Sequence, residues 1–259
     1  MKKLVFLFFM VAAICSYESR SQENQQVKDV PGQLAKVREM VMQGDRSGAS
    51  EICLKIMQSN PDNKTAVQFW VIANMERSPD GERKMESTLD SLGKIYPENT
   101  GIMFFKAFIQ AEYGKNDDAL LAFSRLTELQ PDSSVNFVGK GQVLYEMKRY
   151  TEAADAFDKA LLLDPKRFDI YGMKASALAR QEKYIDAIST LDKGIEINPG
   201  FATNYYNRAC MYCLNGDKTH ALADLAKAIS MNPRFKQSAV KDEDFKSLYE
   251  EEEFIALTK

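Results

Sequence analysis

The sequence predicts an all-α fold, an α-solenoid of about six helical hairpins that ends in a C-terminal capping helical segment. The first observation is a fixed period, since the prolines from Pro97 to Pro233 follow one another at intervals of 34 residues, as in repeat proteins. The second is that apolar residues recur at helical spacing in two halves of each period. The third is a glycine between the halves, at Gly44, Gly114 and Gly216, where a helix end favours a left-handed residue.

The prolines also set the unit boundaries, because a proline stops the helix before it. The interval from Pro61 to Pro97 is longer, and an insertion of Lys64 and Thr65 accounts for the difference. No unit can bury its apolar face alone, so the units must stack to form a core. The predicted units are 30–63, 66–99, 100–133, 134–167, 168–201 and 202–235, followed by a cap at 236–259.

The same residue types recur at matching unit positions in both helices. A large residue near the start of the first helix is followed four positions later by a small one, as in Phe69/Ala73, Met103/Ala107, Phe137/Gly141, Tyr171/Ala175 and Tyr205/Ala209. The second helix carries an alanine and then a larger residue, as in Ala49/Cys53, Ala119/Phe123, Ala153/Phe157, Ala187/Leu191 and Ala221/Leu225, with Met85/Leu89 as the exception. In this pattern the chain resembles the tetratricopeptide repeat (TPR) family, in a bacterial exported form. The resemblance implies a superhelix of helix pairs that binds other proteins.

The first 21 residues predict a secretory signal peptide. Two lysines precede an unbroken apolar run from Leu4 to Cys15, which rises about 18 Å as a helix and is shorter than a bilayer core of about 30 Å. Cleavage is expected before Ser16 or before Gln22. Residues 22–29 are polar and predict a flexible leader. The expected location is therefore periplasmic or secreted.

A lipid anchor at Cys15 is the alternative for this segment. Cys15 resembles the acceptor cysteine of bacterial lipoproteins, but Ile14 stands where that motif has a small residue. In the alternative, the protein is a lipid-anchored structural component of a cell-envelope assembly. Mass spectrometry of the mature N-terminus distinguishes a cleaved signal peptide, which leaves no acyl chains, from a lipid anchor at Cys15.

One side of the first helices is the predicted partner-binding surface. Unit positions 2, 5, 9, 12 and 13 share the side opposite the hairpin contact, and in the TPR family this side lines the concave wall. Many of these positions are apolar or aromatic, which predicts an exposed stripe that binds a protein segment. The alternative is packing, because neighbouring first helices bury part of such a wall. The candidates, called the first-helix wall, are Trp70, Asn74, Arg77, Phe104, Phe108, Gln142, Tyr145, Arg180, Tyr206 and Cys210.

The wall lacks the carboxylate clamp of some TPR proteins. That clamp needs a lysine at unit position 5, where this chain has Leu34, Trp70, Phe104, Val138, Gly172 and Tyr206. Recognition of a chaperone tail is therefore not expected. A groove with apolar anchors should instead favour an extended or helical segment.

The composition gives little support to catalysis, to a cofactor or to nucleic-acid binding. The chain has a single histidine and a net charge of −3, so no basic field attracts nucleic acid. Cys210 and Cys213 form a C-x-x-C pair, which makes a thiol-redox protein a further alternative. The pair lies in the middle of a predicted helix rather than at its N-terminus, so packing or wall lining is favoured. A metal site needs more ligands, and none has a suitable spacing in the sequence.

The last 24 residues, 236–259, predict a cover for the final repeat. The apolar residues expected to pack inward are Phe235, Ala239, Phe245, Leu248, Phe254 and Leu257. The acidic residues Asp242, Glu243, Asp244 and Glu250 to Glu253 are expected to stay outside, as a solvated face or, alternatively, as an acidic docking patch. Taken as a whole, the sequence predicts a non-enzymatic protein–protein interaction scaffold without a cofactor, whose partner is another protein.

Overall fold

The structure is a computed structural model that describes residues 29–60, 63–74 and 79–259. It is all-α, as predicted, and its described residues divide into two compact units that meet in sequence at Pro131 and Asp132. The predicted signal peptide with Cys15, most of the leader, and Arg77 lie outside the described residues, so these predictions stay predictions. Among the described helices, none combines the length and the apolar character needed to cross a bilayer.

The N-terminal unit holds the helices of the first three predicted repeats. They are α1 (Val30–Gln43), α2 (Arg46–Ser59), α3 (Lys64–Asn74), α4 (Pro79–Ile95), α5 (Thr100–Glu112) and α6 (Asn116–Leu129). Side-chain caps begin several of them, since Asp29, Asp45 and Asn99 each accept a hydrogen bond from a backbone N–H three residues later. Each cap satisfies a donor that the first helical turn leaves without a partner.

The C-terminal unit holds the other three repeats and the cap. Its helices are α7 (Ser134–Glu146), α8 (Tyr150–Leu163), α9 (Phe168–Ala179), α10 (Tyr184–Ile197), α11 (Ala202–Leu214), α12 (Lys218–Met231), α13 (Phe235–Ala239) and α14 (Glu252–Thr258), with a 3₁₀-helix at Glu243–Leu248 between the last two. Each second helix contacts its own first helix and the first helix of the next repeat, so the core of this unit runs between successive hairpins.

The recurring residues pack as their spacing predicts. The second-helix alanines and the larger residues four positions later are buried in every repeat, including Met85 and Leu89. The small residue of the first helix allows a close approach, because a Cβ added at Gly141 would lie 2.7 Å from the ring of Phe157. Glycine therefore brings α7 and α8 together while the aromatic ring fills the adjoining space. Each proline of the 34-residue series, from Pro97 to Pro233, stands two residues beyond the end of a second helix.

The turn between the two helices of a repeat uses a left-handed residue. Gly44, Gly114 and Gly216 have φ of 86°, 75° and 84°, as their positions predict. In the fourth and fifth repeats the same position is occupied by Lys148 and Glu182, with φ of 61° and 59°. A side chain with a Cβ is strained in this region. These two turns keep the repeat geometry at a cost that the sequence did not reveal.

Replacing Lys148 with glycine is therefore expected to stabilise the C-terminal unit by about 0.5–1 kcal/mol. Glycine removes the strain of the left-handed conformation, although it adds entropy to the unfolded chain. Urea unfolding followed by circular dichroism measures the change. The matched control is Lys148→Ala, which removes the same charge and keeps the Cβ. Equal stability of the two variants would show that the lysine side chain, rather than the backbone, decides the effect.

Candidate functional site

The structure describes four wall residues of the N-terminal unit, which lie on α3 and α5, and three of these four are buried. Trp70, Phe104 and Phe108 are each only 4–6% exposed. Phe104 makes edge-to-face contacts with Phe105 and Phe123, with ring centroids 5.6 Å apart in both pairs. The predicted exposure of the apolar stripe is therefore wrong for these aromatics. The physical reason is that α3 and α5 contact each other, so their flanks face protein rather than solvent.

Asn74 is the half-buried member of this group and has a structural role. Its side-chain Nδ2 donates to the Ser50 hydroxyl at 3.0 Å and to the Trp70 carbonyl oxygen at 2.7 Å. The first bond joins α3 to α2, and the second holds the Asn74 amide against the backbone of α3.

A cavity of about 500 Å³ adjoins these residues. Its walls include Arg46 and Ser50 from α2, Asn74 from α3, and Met85 from α4.

In the C-terminal unit the structure brings Gln142 and Tyr145 on α7 together with Arg180, the C-cap residue of α9. The Arg180 Nε donates to the Tyr145 hydroxyl at 3.2 Å, which joins α9 to α7. Gln142 lies one turn before Tyr145 and its Nε2 approaches the Met173 sulfur at 3.6 Å. Gln142 and Tyr145 are half-buried, whereas Arg180 is exposed. This part of the first-helix wall is polar and accessible, rather than an apolar stripe.

Tyr206 and Cys210 lie on α11 beneath the C-terminal cap. The Tyr206 ring stacks on Phe235 with centroids 4.6 Å apart and meets the edge of Phe245 at 5.5 Å. Its hydroxyl donates to an Asp242 carboxylate oxygen at 2.8 Å. Both residues are buried, so their predicted exposure is also wrong. The reason is that the 3₁₀-helix of the cap contacts α11 and covers these two side chains.

The cap itself is partly as predicted. Ala239, Phe245, Leu248 and Phe254 are buried, and Phe235 and Leu257 are half-buried. The acidic residues differ, because Asp242 and Asp244 are half-buried and lie beside Cys210 rather than outside. The sequence predicted these two as part of a solvated face or of an acidic docking patch, and not as neighbours of Cys210. No signal in the sequence links them to Cys210, since more than 30 residues separate them.

The three cysteines of the described residues are free thiols in buried positions. Burial raises the pKa of Cys53 to about 12. Burial also raises the pKa of Cys210, with a further contribution from Asp242 and Asp244, and raises the pKa of Cys213. A redox-active C-x-x-C pair needs an accessible, stabilised thiolate. The surroundings of Cys210 and Cys213 favour the neutral thiol, which argues against the thiol-redox alternative.

Comparison with known proteins agrees with this fold. Residues 112–194 match the family model described as anaphase-promoting complex, cyclosome, subunit 3, and residues 202–235 match a tetratricopeptide repeat model. None of the curated protein sequences matches this chain significantly. The chain therefore contains tetratricopeptide repeat sequence in the unit whose cap and wall are described above.

Solved structures extend the likeness to most of the chain. The C-terminal part of a TPR repeat-containing protein from Cytophaga hutchinsonii has a TM-score of 0.62 at 11% identity, over 86% of this chain and 92% of that chain. A tetratricopeptide repeat protein from Parabacteroides merdae has a TM-score of 0.57 at 20% identity, over 88% and 96%. YrrB, described as a TPR protein with an unusual peptide-binding site, has a TM-score of 0.55 at 19% identity, over 74% and 100%. At these identities the likeness shows the fold, which is that of a TPR solenoid.

Proposed function

We propose that this protein is a non-enzymatic scaffold that binds a partner polypeptide on the first-helix wall of its C-terminal unit, around Tyr145 and Arg180. The class of function follows from the TPR repeats, which generally act as protein-binding scaffolds. The similarity to YrrB, which is described as having a peptide-binding site, supports a polypeptide as the partner. Fold alone does not define function, so the choice of binding site depends on the arrangement of the Tyr145 and Arg180 side chains.

The observation that carries the proposal is the exposed guanidinium of Arg180 beside the ring of Tyr145. The bond to the Tyr145 hydroxyl uses Nε, and no hydrogen bond joins the two terminal nitrogens to another described side chain. Those nitrogens present donors in a planar fork that suits a carboxylate or a backbone carbonyl. The Tyr145 ring is itself held by an edge contact with Tyr150 at 5.3 Å. The pair therefore offers a fixed aromatic face and a directed cation.

Arginine and tyrosine are enriched among the residues that contribute most to binding free energy. The partner that fits this pair presents an acidic side chain or a backbone carbonyl to Arg180 and an apolar group to Tyr145. Trp70, Phe104, Phe108 and Tyr206 support the wall from within rather than contacting the partner, because they are buried. This differs from a groove whose affinity comes from an exposed apolar stripe.

Cross-linking from position 145 tests the proposal. A photoreactive phenylalanine derivative replaces Tyr145 in the full chain, and the yield of cross-linked adducts is measured in cells with and without Arg180→Glu. We expect the charge reversal to lower the yield strongly, since loss of a central contact costs about 2 kcal/mol or about 30-fold in affinity. The matched control is Lys193→Glu, the same change of charge at an exposed position on α10.

The experiment has three distinct outcomes. A yield that falls with Arg180→Glu and stays unchanged with Lys193→Glu supports binding at this site. Equal yields in all three proteins would contradict it. Equal losses in both variants would also contradict it, because the loss would then come from the change in net charge and not from the position of Arg180. Circular dichroism of each variant shows that the repeats remain folded, as expected for exposed positions.

A further inference from the structure

The C-terminal cap meets the last repeat at a cluster of three metal-ligating residues. Cys210 lies on α11, Asp242 precedes the 3₁₀-helix, and Asp244 lies in its first turn. The Cys210 sulfur and one carboxylate oxygen from each aspartate all lie within 4.8 Å of one another. The fold of the cap brings these atoms together, although they belong to separate elements.

The spacing suits a single ion. Zinc binds a cysteine sulfur at about 2.3 Å and a carboxylate oxygen at about 2.0–2.2 Å, so two tetrahedral ligands of one ion lie about 3.3–3.7 Å apart. Atoms that lie within the observed limit of 4.8 Å must therefore approach one another by up to about 1.5 Å to bind one tetrahedral ion. Side-chain rotation, chiefly of Asp244, can supply that contraction, because hydrogen bonds from Tyr206 and from the Asp244 backbone N–H hold the Asp242 carboxylate.

The Cys210 thiol is the observation that points to a ligand. Its side chain is only 3% exposed, and no hydrogen bond joins its sulfur to another side chain of the described residues. A buried polar group is normally hydrogen-bonded, and an exception calls for an explanation. Two carboxylates that could accept from its S–H lie beside the thiol, yet the described side-chain contacts include no such hydrogen bond. A cation bound between the three side chains would give the thiol sulfur a partner.

We propose that Cys210, Asp242 and Asp244 bind one zinc ion, which fastens the C-terminal cap to the last repeat. The thiol selects zinc over calcium and magnesium, because those harder cations prefer ligand sets made of oxygen alone. Zinc binding to these residues displaces the thiol proton to solvent, so the bound site carries a thiolate, two carboxylates and Zn²⁺, with a net charge of −1. A water molecule completes the tetrahedral coordination.

Neighbouring groups hold the ligands in place, as the outer shell of a metal site does. The Tyr206 hydroxyl donates to the Asp242 carboxylate at 2.8 Å. The Tyr249 hydroxyl donates to the Asp242 carbonyl oxygen at 3.0 Å, and the Asp244 backbone N–H donates to the Asp242 carboxylate at 3.3 Å.

Helix capping alone does not account for the cluster. Asp242 is the N-cap of the 3₁₀-helix through its bond from Asp244 N–H, and one carboxylate is enough for that role. Asp244 lies in the first turn of the 3₁₀-helix and beside the same buried sulfur. A solvated acidic face would instead direct Asp244 away from the protein, as the sequence predicts.

Zinc titration of the reduced, tag-free full chain tests the proposal by calorimetry. The expected result is one zinc per chain and a higher thermal midpoint for the metal-bound protein. Cys210→Ser and Asp244→Asn are each expected to weaken binding at least tenfold, and Tyr206→Phe about 10–100-fold. The matched control is Cys213→Ser, one helical turn from Cys210, whose sulfur lies 3.2 Å from the Ser247 hydroxyl. It should leave the affinity unchanged.

A second measurement does not depend on folding of the variants. Cobalt(II) bound to the wild-type chain should give a near-ultraviolet thiolate charge-transfer band, which appears only when a cysteine sulfur is a ligand. The proposal is overturned if the wild-type chain binds no zinc, if the cobalt complex lacks this band, or if Cys210→Ser binds zinc as tightly as wild type. Equal loss of binding in Cys213→Ser also overturns it, because the site would then depend on the general state of α11.

Discussion

Replacing Phe104 with alanine is expected to lower the free energy of unfolding by about 3–5 kcal/mol. The ring is only 6% exposed and makes edge contacts with Phe105 and Phe123. The change removes buried apolar area and two aromatic contacts, and it leaves a cavity between α5 and α6. This is the largest effect expected in the N-terminal unit, and it falls on a residue that the sequence predicts to contact a partner.

The matched control is Leu121→Ala on α6. Leu121 is 74% exposed, so its loss should change the stability by less than about 0.5 kcal/mol. Repeat proteins need not unfold in one step, so urea unfolding is best accompanied by hydrogen exchange at the amides of α5 and α6. We expect exchange to accelerate there in Phe104→Ala and to stay slow in Leu121→Ala. A loss below about 1 kcal/mol for Phe104→Ala would mean that the ring is a surface contact after all.

The repeat architecture could be predicted because the residues that indicate it recur at the same positions of successive repeats. The 34-residue interval places a proline beyond each second helix from α4 onward, and the alanines at matching positions place the buried face. These signals are local, and each repeat adds independent support for the same register. Packing then follows, because only one face of each helix is apolar enough to be buried.

The wall could not be assigned correctly because periodicity defines the face of a helix but not what covers it. Trp70 and Phe104 share a helix face with Tyr145 in the repeat register, yet they are buried where Tyr145 is only half-buried. The difference comes from the neighbours, since α3 and α5 contact each other along this flank. Curvature between repeats is a tertiary property, and a pattern within one repeat does not contain it.

The end of the chain shows a second limit. The apolar residues of the cap were predictable from their spacing, as the burial of Phe245 and Phe254 shows. The inward direction of Asp242 was not, because it depends on the hydroxyl of Tyr206, which lies 36 residues earlier. Short elements such as α13 and the 3₁₀-helix also have too few residues to reveal a periodic face. The proposed zinc ligands were therefore visible only in the folded chain.

Replacing Arg208 with methionine is expected to lower the stability of the C-terminal unit by about 3 kcal/mol, near the lower end of the range for breaking a buried ion pair. Arg208 on α11 donates to Asp224 on α12 through Nε and a terminal nitrogen, at 2.6 and 2.8 Å. The two side chains are 18% and 12% exposed. Methionine keeps much of the side-chain volume but leaves the Asp224 carboxylate desolvated without a cation, which is the main cost.

Two further variants separate that cost from lost packing. Asp192 also binds Arg208, at 2.6 Å, but its side chain is 51% exposed, so Asp192→Asn should cost less than about 1 kcal/mol. The double variant Arg208→Met with Asp224→Asn should recover at least about 1 kcal/mol relative to Arg208→Met alone, because the uncompensated charge is gone. Thermal and urea unfolding of the four proteins give these differences. A double variant that is no more stable than Arg208→Met would contradict this account. The arginine would then stabilise the unit through its packing between the rings of Tyr205 and Tyr212, and the ion pair would contribute little.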